Sequence, residues 1–155
     1  MPVTPKRPRR RPRPRRAKRP ARVTRRQPES LRLRSMAASL TVTDVPRSVA
    51  WYRDMLGFTE GERWENEGKL RGVQMKAGRC DLMLNQDDFA KGRDRPKGVG
   101  FRLWVSTGQD IDALAARIRA RGGRLDFEPR QTPWGSYAFA ISDPDGYKIT
   151  FIREE

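Results

Sequence analysis

Twice along residues 36–155, an alternating apolar stretch leads into a capped amphipathic helix and then into three further short alternating stretches. In the first round Ala38, Leu40 and Val42 point to one side, and Ala37, Ser39, Thr41 and Thr43 to the other. That two-residue period is the mark of a half-buried strand. Asp44 stands where an N-cap is needed, Pro46 falls in the first helical turn, and Val45, Val49, Tyr52 and Leu56 line one face before Gly57 closes it. Strands are expected over 61–66, 70–77 and 80–86. In the second round Phe101, Leu103 and Val105 alternate with Gly100, Arg102 and Trp104. "TGQDIDALAARIRARGG" then places Ile111, Leu114, Ala115 and Ile118 on the inward face of a helix. Strands around 124–128, 135–142 and 147–152 complete it.

The chain therefore reads as β-α-β-β-β written twice, an internal duplication in element order rather than in residue identity. Modules 36–86 and 98–155 are joined by a charged linker, residues 87–97, "DDFAKGRDRPK". Each half, at about 55 residues, is too small to bury a good core alone. The expected architecture is an α+β domain of paired βαβββ modules, forming a curved mixed sheet with a shared core and a shared cleft.

The charge is unevenly placed. The 155 residues carry a net +15, yet residues 1–35 hold fifteen Lys or Arg against the single acid Glu29, a net of +14. The remaining nineteen basic and eighteen acidic residues leave the domain at +1. A nucleic-acid partner is thus an expectation for residues 1–35 alone. Their arginine and proline give them almost nothing to bury, so a disordered tail is expected. Two readings of it stand: an electrostatic tether to RNA, DNA or an anionic surface, or translated upstream sequence ahead of a true start at Met36. No apolar run reaches the roughly 20 residues that span a bilayer. No apolar segment follows the first arginines as a secretory signal requires. Cys80 is the one cysteine. A cytoplasmic protein without a membrane partner is the expectation.

"SLTVTDVPRSVAWYRDMLGF" and "PWGSYAFAISDPDGYKITF" resemble the opening and closing motifs of the vicinal oxygen chelate superfamily. It includes glyoxalase I, extradiol dioxygenases, fosfomycin-resistance enzymes and bleomycin-resistance proteins. The resemblance covers residues 36–155. It implies metal-ligand positions in the first and last strand of each module, which fall here on Ala37, Met83, Gly100 and Thr150. None of the four is a competent ligand of the kind those enzymes use, and the chain contains no histidine. Asp81, on the strand face of Met83, leaves a carboxylate-only site conceivable, but three converging ligands are not in view. The expectation is no metal, no cofactor and a site that binds rather than reacts, with an atypical lyase or oxygenase as the alternative.

Strand period groups Ser39, Thr41, Met83, Asn85, Gly100, Arg102, Trp104, Lys148 and Thr150 on the faces that carry ligands in relatives. Trp104 suits stacking, and Arg102 and Lys148 suit a carboxylate or phosphate, so the implied partner is an aromatic or anionic small organic molecule. The competing reading makes Trp104 a packing residue at a dimer or module interface and the charges solvated. Trp51 and Tyr52 read as helix packing, Trp64 and Trp134 as candidates to line a groove. Cys80 reads as a buried, inert thiol. No Ser/His/Asp or Cys/His set can form without histidine. Asp143-Pro-Asp-Gly146 reads as a turn whose acids bond local backbone. Relatives generally pair, so a homodimer completing the cleft is expected.

Overall fold

In the computed structural model, which describes residues 35–154, the eight strands fall into two separate four-stranded mixed sheets. The expected tail, residues 1–35, lies outside the described residues save for Ser35. The first module runs β1 (Ala38–Val42), α1 (Val45–Trp51), a π-helical turn (Tyr52–Leu56), β2 (Thr59–Asn66), β3 (Lys69–Ala77) and β4 (Cys80–Gln86). The second runs β5 (Arg102–Thr107), α2 (Ile111–Ala120), β6 (Leu125–Gln131), β7 (Tyr137–Ser142) and β8 (Lys148–Arg153). The sheets have matching orders, β1-β4-β3-β2 and β5-β8-β7-β6. Each helix returns the chain so that its first strand pairs parallel with its last, β1 with β4 and β5 with β8. The duplication read from element order is therefore present in the topology.

Both helices start as their sequences dictate. The Asp44 carboxylate accepts from the Arg47 N–H at 2.9 Å and the Asp110 carboxylate from the Ala113 N–H at 2.9 Å, each satisfying a donor that the first turn leaves free. The expected ending of α1 is corrected in one respect. The apolar face continues through Leu56 as its period requires, but from Tyr52 the helix widens to the π form before Gly57 stops it at φ 82°.

One apolar cluster unites the modules. α1 contributes Val45 and Val49, the first sheet Val73, Met75, Leu82 and Leu84, α2 Ile111, Leu114, Ala115 and Ile118, and the second sheet Phe139, Ile141, Ile149 and Phe151. Burying each such side chain stabilises by roughly 1.5–3 kcal/mol. The Phe139 and Phe151 rings stack at 4.9 Å between centroids. This shared core is why halves too small to fold alone stand together. Gly123, after α2, lies so close to the end of the first module's helical segment that a Cβ there would sit 2.7 Å from Met55 Sδ.

Polar groups fasten the same junction. Tyr52 donates its phenolic hydrogen to Asp143 Oδ2 at 3.0 Å, across 91 residues of chain. Asp143 Oδ1 accepts from the Asp145 and Tyr147 N–H groups at 2.9 and 2.8 Å, the local bonding expected of the turn. Asp145 departs from that expectation. It accepts from the Thr43 N–H at 3.1 Å and from the Thr43 hydroxyl, in the other module. The turn reads correctly as a turn, and it is also a clasp.

The charged linker buries two of its charges, Asp87 and Lys97. One further expectation is corrected. Cys80 is exposed, not buried, because it opens β4 at the turn where that strand leaves β3 and nothing packs over it.

Candidate functional site

The candidate residues occupy the sheet faces turned away from the helices, and the two sheets carry them as two groups. On the first, Ser39 is the register partner of Met83 and Thr41 of Asn85. Asn85 Nδ2 donates to Ser39 Oγ at 2.8 Å, tying the two rows together. The face continues across β3 to Gly72, whose missing side chain matters. A Cβ there would lie 3.1 Å from Trp64 Cε3 and 3.1 Å from Asn85 Oδ1. The Trp64 indole thus lies over Gly72 beside Asn85, with 39% of its surface open. A large aromatic over a glycine is a signal that strand period alone does not supply.

On the second sheet Arg102 is the register partner of Lys148, and Trp104 of Thr150. Arg102 and Lys148 are exposed. Trp104 is 55% and Trp134 53% exposed, with ring centroids 5.6 Å apart. Within one chain the neighbour of Trp104 is another exposed indole, and the core does not cover either ring. Thr150 is fully buried and cannot meet a ligand directly; its hydroxyl accepts from Arg102 Nη1 at 3.2 Å and so orients the guanidinium.

Two hollows border these faces. One, of about 480 Å³, lies between the Lys97–Arg102 segment and Gly146 and Lys148. The other, of about 280 Å³, lies among Thr41, Gln86, Asp87, Lys91 and Arg95. Neither draws on both groups: Arg102 and Lys148 border the first, Thr41 the second. Trp104, Met83, Asn85 and Ser39 border neither, so a single chain does not bring all the candidate residues into one cavity.

Between the hollows sits an ionic cluster that sequence reasoning missed. Lys97 Nζ lies 3.1 Å from Asp87 Oδ2 and donates to Thr43 Oγ1 at 2.9 Å, and Arg95 approaches the same Asp87 oxygen at 3.0 Å. Burial would raise the Asp87 carboxyl, but the Phe89 N–H, Lys97 and Arg95 outweigh it and hold it below the ordinary carboxylate value. Asp143 moves the other way. Burial pushes its carboxyl up, although the Tyr147 and Asp145 N–H groups and the Tyr52 hydroxyl pull against it. Burial and then the Asp143 charge push the Tyr52 phenol well above its usual range. It is a hydrogen-bond donor at any working pH, not an acid.

The metal positions implied by the resemblance do not fit a divalent ion. Ala37 and Gly100 offer no side-chain donor, Met83 offers a thioether, and the Thr150 hydroxyl is already taken by Arg102. Among the described residues, no three His, Cys, Asp or Glu side chains stand close enough to hold a metal. Among the same residues, no helix is long and apolar enough to cross a membrane.

Comparison with known proteins follows this geometry. Over 123 residues the chain is 28% identical to a lactoylglutathione lyase of Haemophilus influenzae, spanning 75% of this chain and 89% of that one. Its fold matches TioX from Micromonospora sp. ML1 with a TM-score of 0.64 at 23% identity, over 77% of this chain and 98% of that one. TnmS3, an antibiotic binding protein from Streptomyces sp. CB03234, matches with a TM-score of 0.60 at 29% identity, over 77% and 93%. A family model matches residues 34–151, and the chain belongs to the Glyoxalase/Bleomycin resistance protein/Dioxygenase superfamily.

Proposed function

We propose that the chain binds a small aromatic or anionic organic molecule on its sheet faces and withholds it from solution without chemical change. The observation that carries this reading is the exposed Trp104–Trp134 pair on the same strand face as Arg102. Such a surface offers stacking area and a cation, and among the described residues no three His, Cys, Asp or Glu side chains cluster to hold a metal. The likeness to TnmS3, an antibiotic binding protein, supports binding over turnover.

The cleft is completed by a second copy of the chain. In support, β1 and β5 are both edge strands, and no residue of β5 is fully buried although Leu103 and Val105 face the core side. A two-fold pair would set the Trp64–Asn85 face of one copy against the Trp104–Arg102 face of the other.

The lyase alternative rests on the likeness to lactoylglutathione lyase. It requires metal-dependent formation of lactoylglutathione, which binding does not. The nucleic-acid reading rests on residues 1–35. It requires binding that weakens steeply with salt and vanishes when they are deleted.

Thermal melting of the full chain decides between sequestration and the enzyme. A raised Tm with an aromatic acid or glycopeptide under chelator supports sequestration, since only a ligand of the native state shifts the midpoint. A shift with divalent metal alone, together with lyase turnover, would replace this reading by the enzyme.

A further inference from the structure

The hollow at the start of β5 joins two cations, unpaired among the described residues, to an apolar wall. Arg102 and Lys148 border it as register partners on adjacent parallel strands. Among the described residues neither makes an ion pair. The third cation on its wall, Lys97, has its ammonium committed to Asp87 and Thr43. Among the described residues no acidic side chain lines the hollow. Along the same row of the sheet Lys148 is followed by Ser142, whose hydroxyl donates to Asp126 at 2.8 Å. Like charges directly opposite one another in a sheet destabilise it unless something neutralises them.

The rest of the hollow has the complementary character. Thr150 holds one guanidinium nitrogen of Arg102, and the remaining N–H groups keep their capacity to meet an anion. Val99 and Phe101 are exposed beside it, and Phe101 is fixed edge-on to Tyr147 at 6.0 Å. Gly100, at φ 72°, lines the hollow with Arg102 and Lys148, and beyond its chain neighbours nothing lies within 4 Å of where a Cβ would be. Trp104 lies two residues further along β5, on the face of Arg102.

We infer that this hollow is the seat for the carboxylate of an aryl carboxylate ligand. Arg102 and Lys148 hold the anionic group, Phe101 flanks the first atoms of its body, and the ring extends along β5 toward Trp104. The inference rests on the small-molecule reading above and assigns which end of the ligand lies where.

Calorimetric titration of the full chain, under chelator and at low salt, with 2-naphthoate and its neutral counterpart 2-naphthamide tests it. Naphthoate is expected to bind roughly tenfold or more tightly than the amide, as charge-assisted hydrogen bonds require. About 0.5 M NaCl should shrink that preference. Arg102→Met and Lys148→Met should each remove most of it while both variants keep the parent's circular-dichroism spectrum; Arg102→Met also loses the donor to the buried Thr150 hydroxyl and should melt slightly lower. If the two probes bind alike, or if both Met variants keep the preference, the carboxylate seat is overturned. Amide binding that Trp104→Ala abolishes would then leave the sheet-face reading standing. Binding of neither probe would overturn the seat and the sheet-face reading together.

Discussion

Lys97 and Asp87 form an ion pair of 3.1 Å with only 3% of each side chain exposed, inside the segment that joins the two modules. A buried charge without its partner is strongly destabilising, whereas removing both partners is mild. Arg95, 3.0 Å from the same Asp87 oxygen, still partners that carboxylate, so Lys97→Met should lower Tm by on the order of 5 °C, and Lys97→Met/Asp87→Asn by less. The pH dependence has a definite sign. Because the folded Asp87 carboxyl is held below its ordinary 3.8, its contribution is complete above that value and lost as pH falls through the depressed one. Acid titration of the circular-dichroism signal should show Lys97→Met unfolding at higher pH than the parent. Coincident acid midpoints would remove the pair from any role in joining the modules.

Asp143 predicts the opposite slope. Its folded carboxyl is raised above the ordinary 3.8, so the folded state binds the proton more tightly than the unfolded chain does. Its contribution is fullest below 3.8 and declines as pH rises through the raised value. Asp143→Asn keeps an oxygen for the Asp145 and Tyr147 N–H groups and removes the charge. Urea midpoints measured from mildly acidic to neutral pH should fall for the parent relative to this variant. In a separate measurement at neutral pH, Tyr52→Phe leaves the Asp143 oxygen without its 3.0 Å donor and should cost about 2 kcal/mol.

These two sites show where reading the sequence succeeds and where it stops. The alternation of Leu40 and Val42 and the stripe of Ile111, Leu114, Ala115 and Ile118 record burial on one face, and those residues are indeed buried. Periodicity reports a face because a strand or helix repeats its orientation along the chain. It carries nothing about a partner 102 residues away, and so the Asp145–Thr43 contact and the burial of Lys97 inside a charged linker had no local signal. The same limit holds at the site. Period two places Arg102 and Trp104 on one side of β5, and the structure agrees. Only packing reveals that Thr150 is buried beneath Arg102, or that Trp64 covers Gly72.

Two glycines two positions apart, Gly98 and Gly100, sit at the entrance to β5 and make a clean comparison. Gly98 has φ 68°, and a Cβ there would lie 2.5 Å from the Gly146 carbonyl oxygen, which is backbone and cannot swing aside. Gly100 has a similar φ of 72° but open space around it. Gly100→Ala should therefore cost only the left-handed backbone penalty, roughly 1–2 kcal/mol. Gly98→Ala should cost more, on the order of 3 kcal/mol or above, because the clash adds to that penalty. Denaturant midpoints of the two variants compare them directly, and equal losses would mean the β7–β8 turn does not hold Gly98 in place.

Trp104 and Trp134 separate binding from stability. Their rings lie 5.6 Å apart and each leaves more than half its surface open, so little of either is held by the core. Trp104→Ala forfeits the aromatic pair, worth about 0.5–1.5 kcal/mol, and creates no cavity. Leu84→Ala, in the fully buried core, should cost about 2–5 kcal/mol by contrast. The same Trp104→Ala change should weaken an aromatic ligand roughly tenfold or more, since the stacking surface on β5 goes with it. Thermal melting and calorimetric titration on one preparation give both readings. A Trp104→Ala variant that melts like Leu84→Ala would make this indole a packing residue after all. A variant with unchanged melting and unchanged affinity would move the ligand off this face.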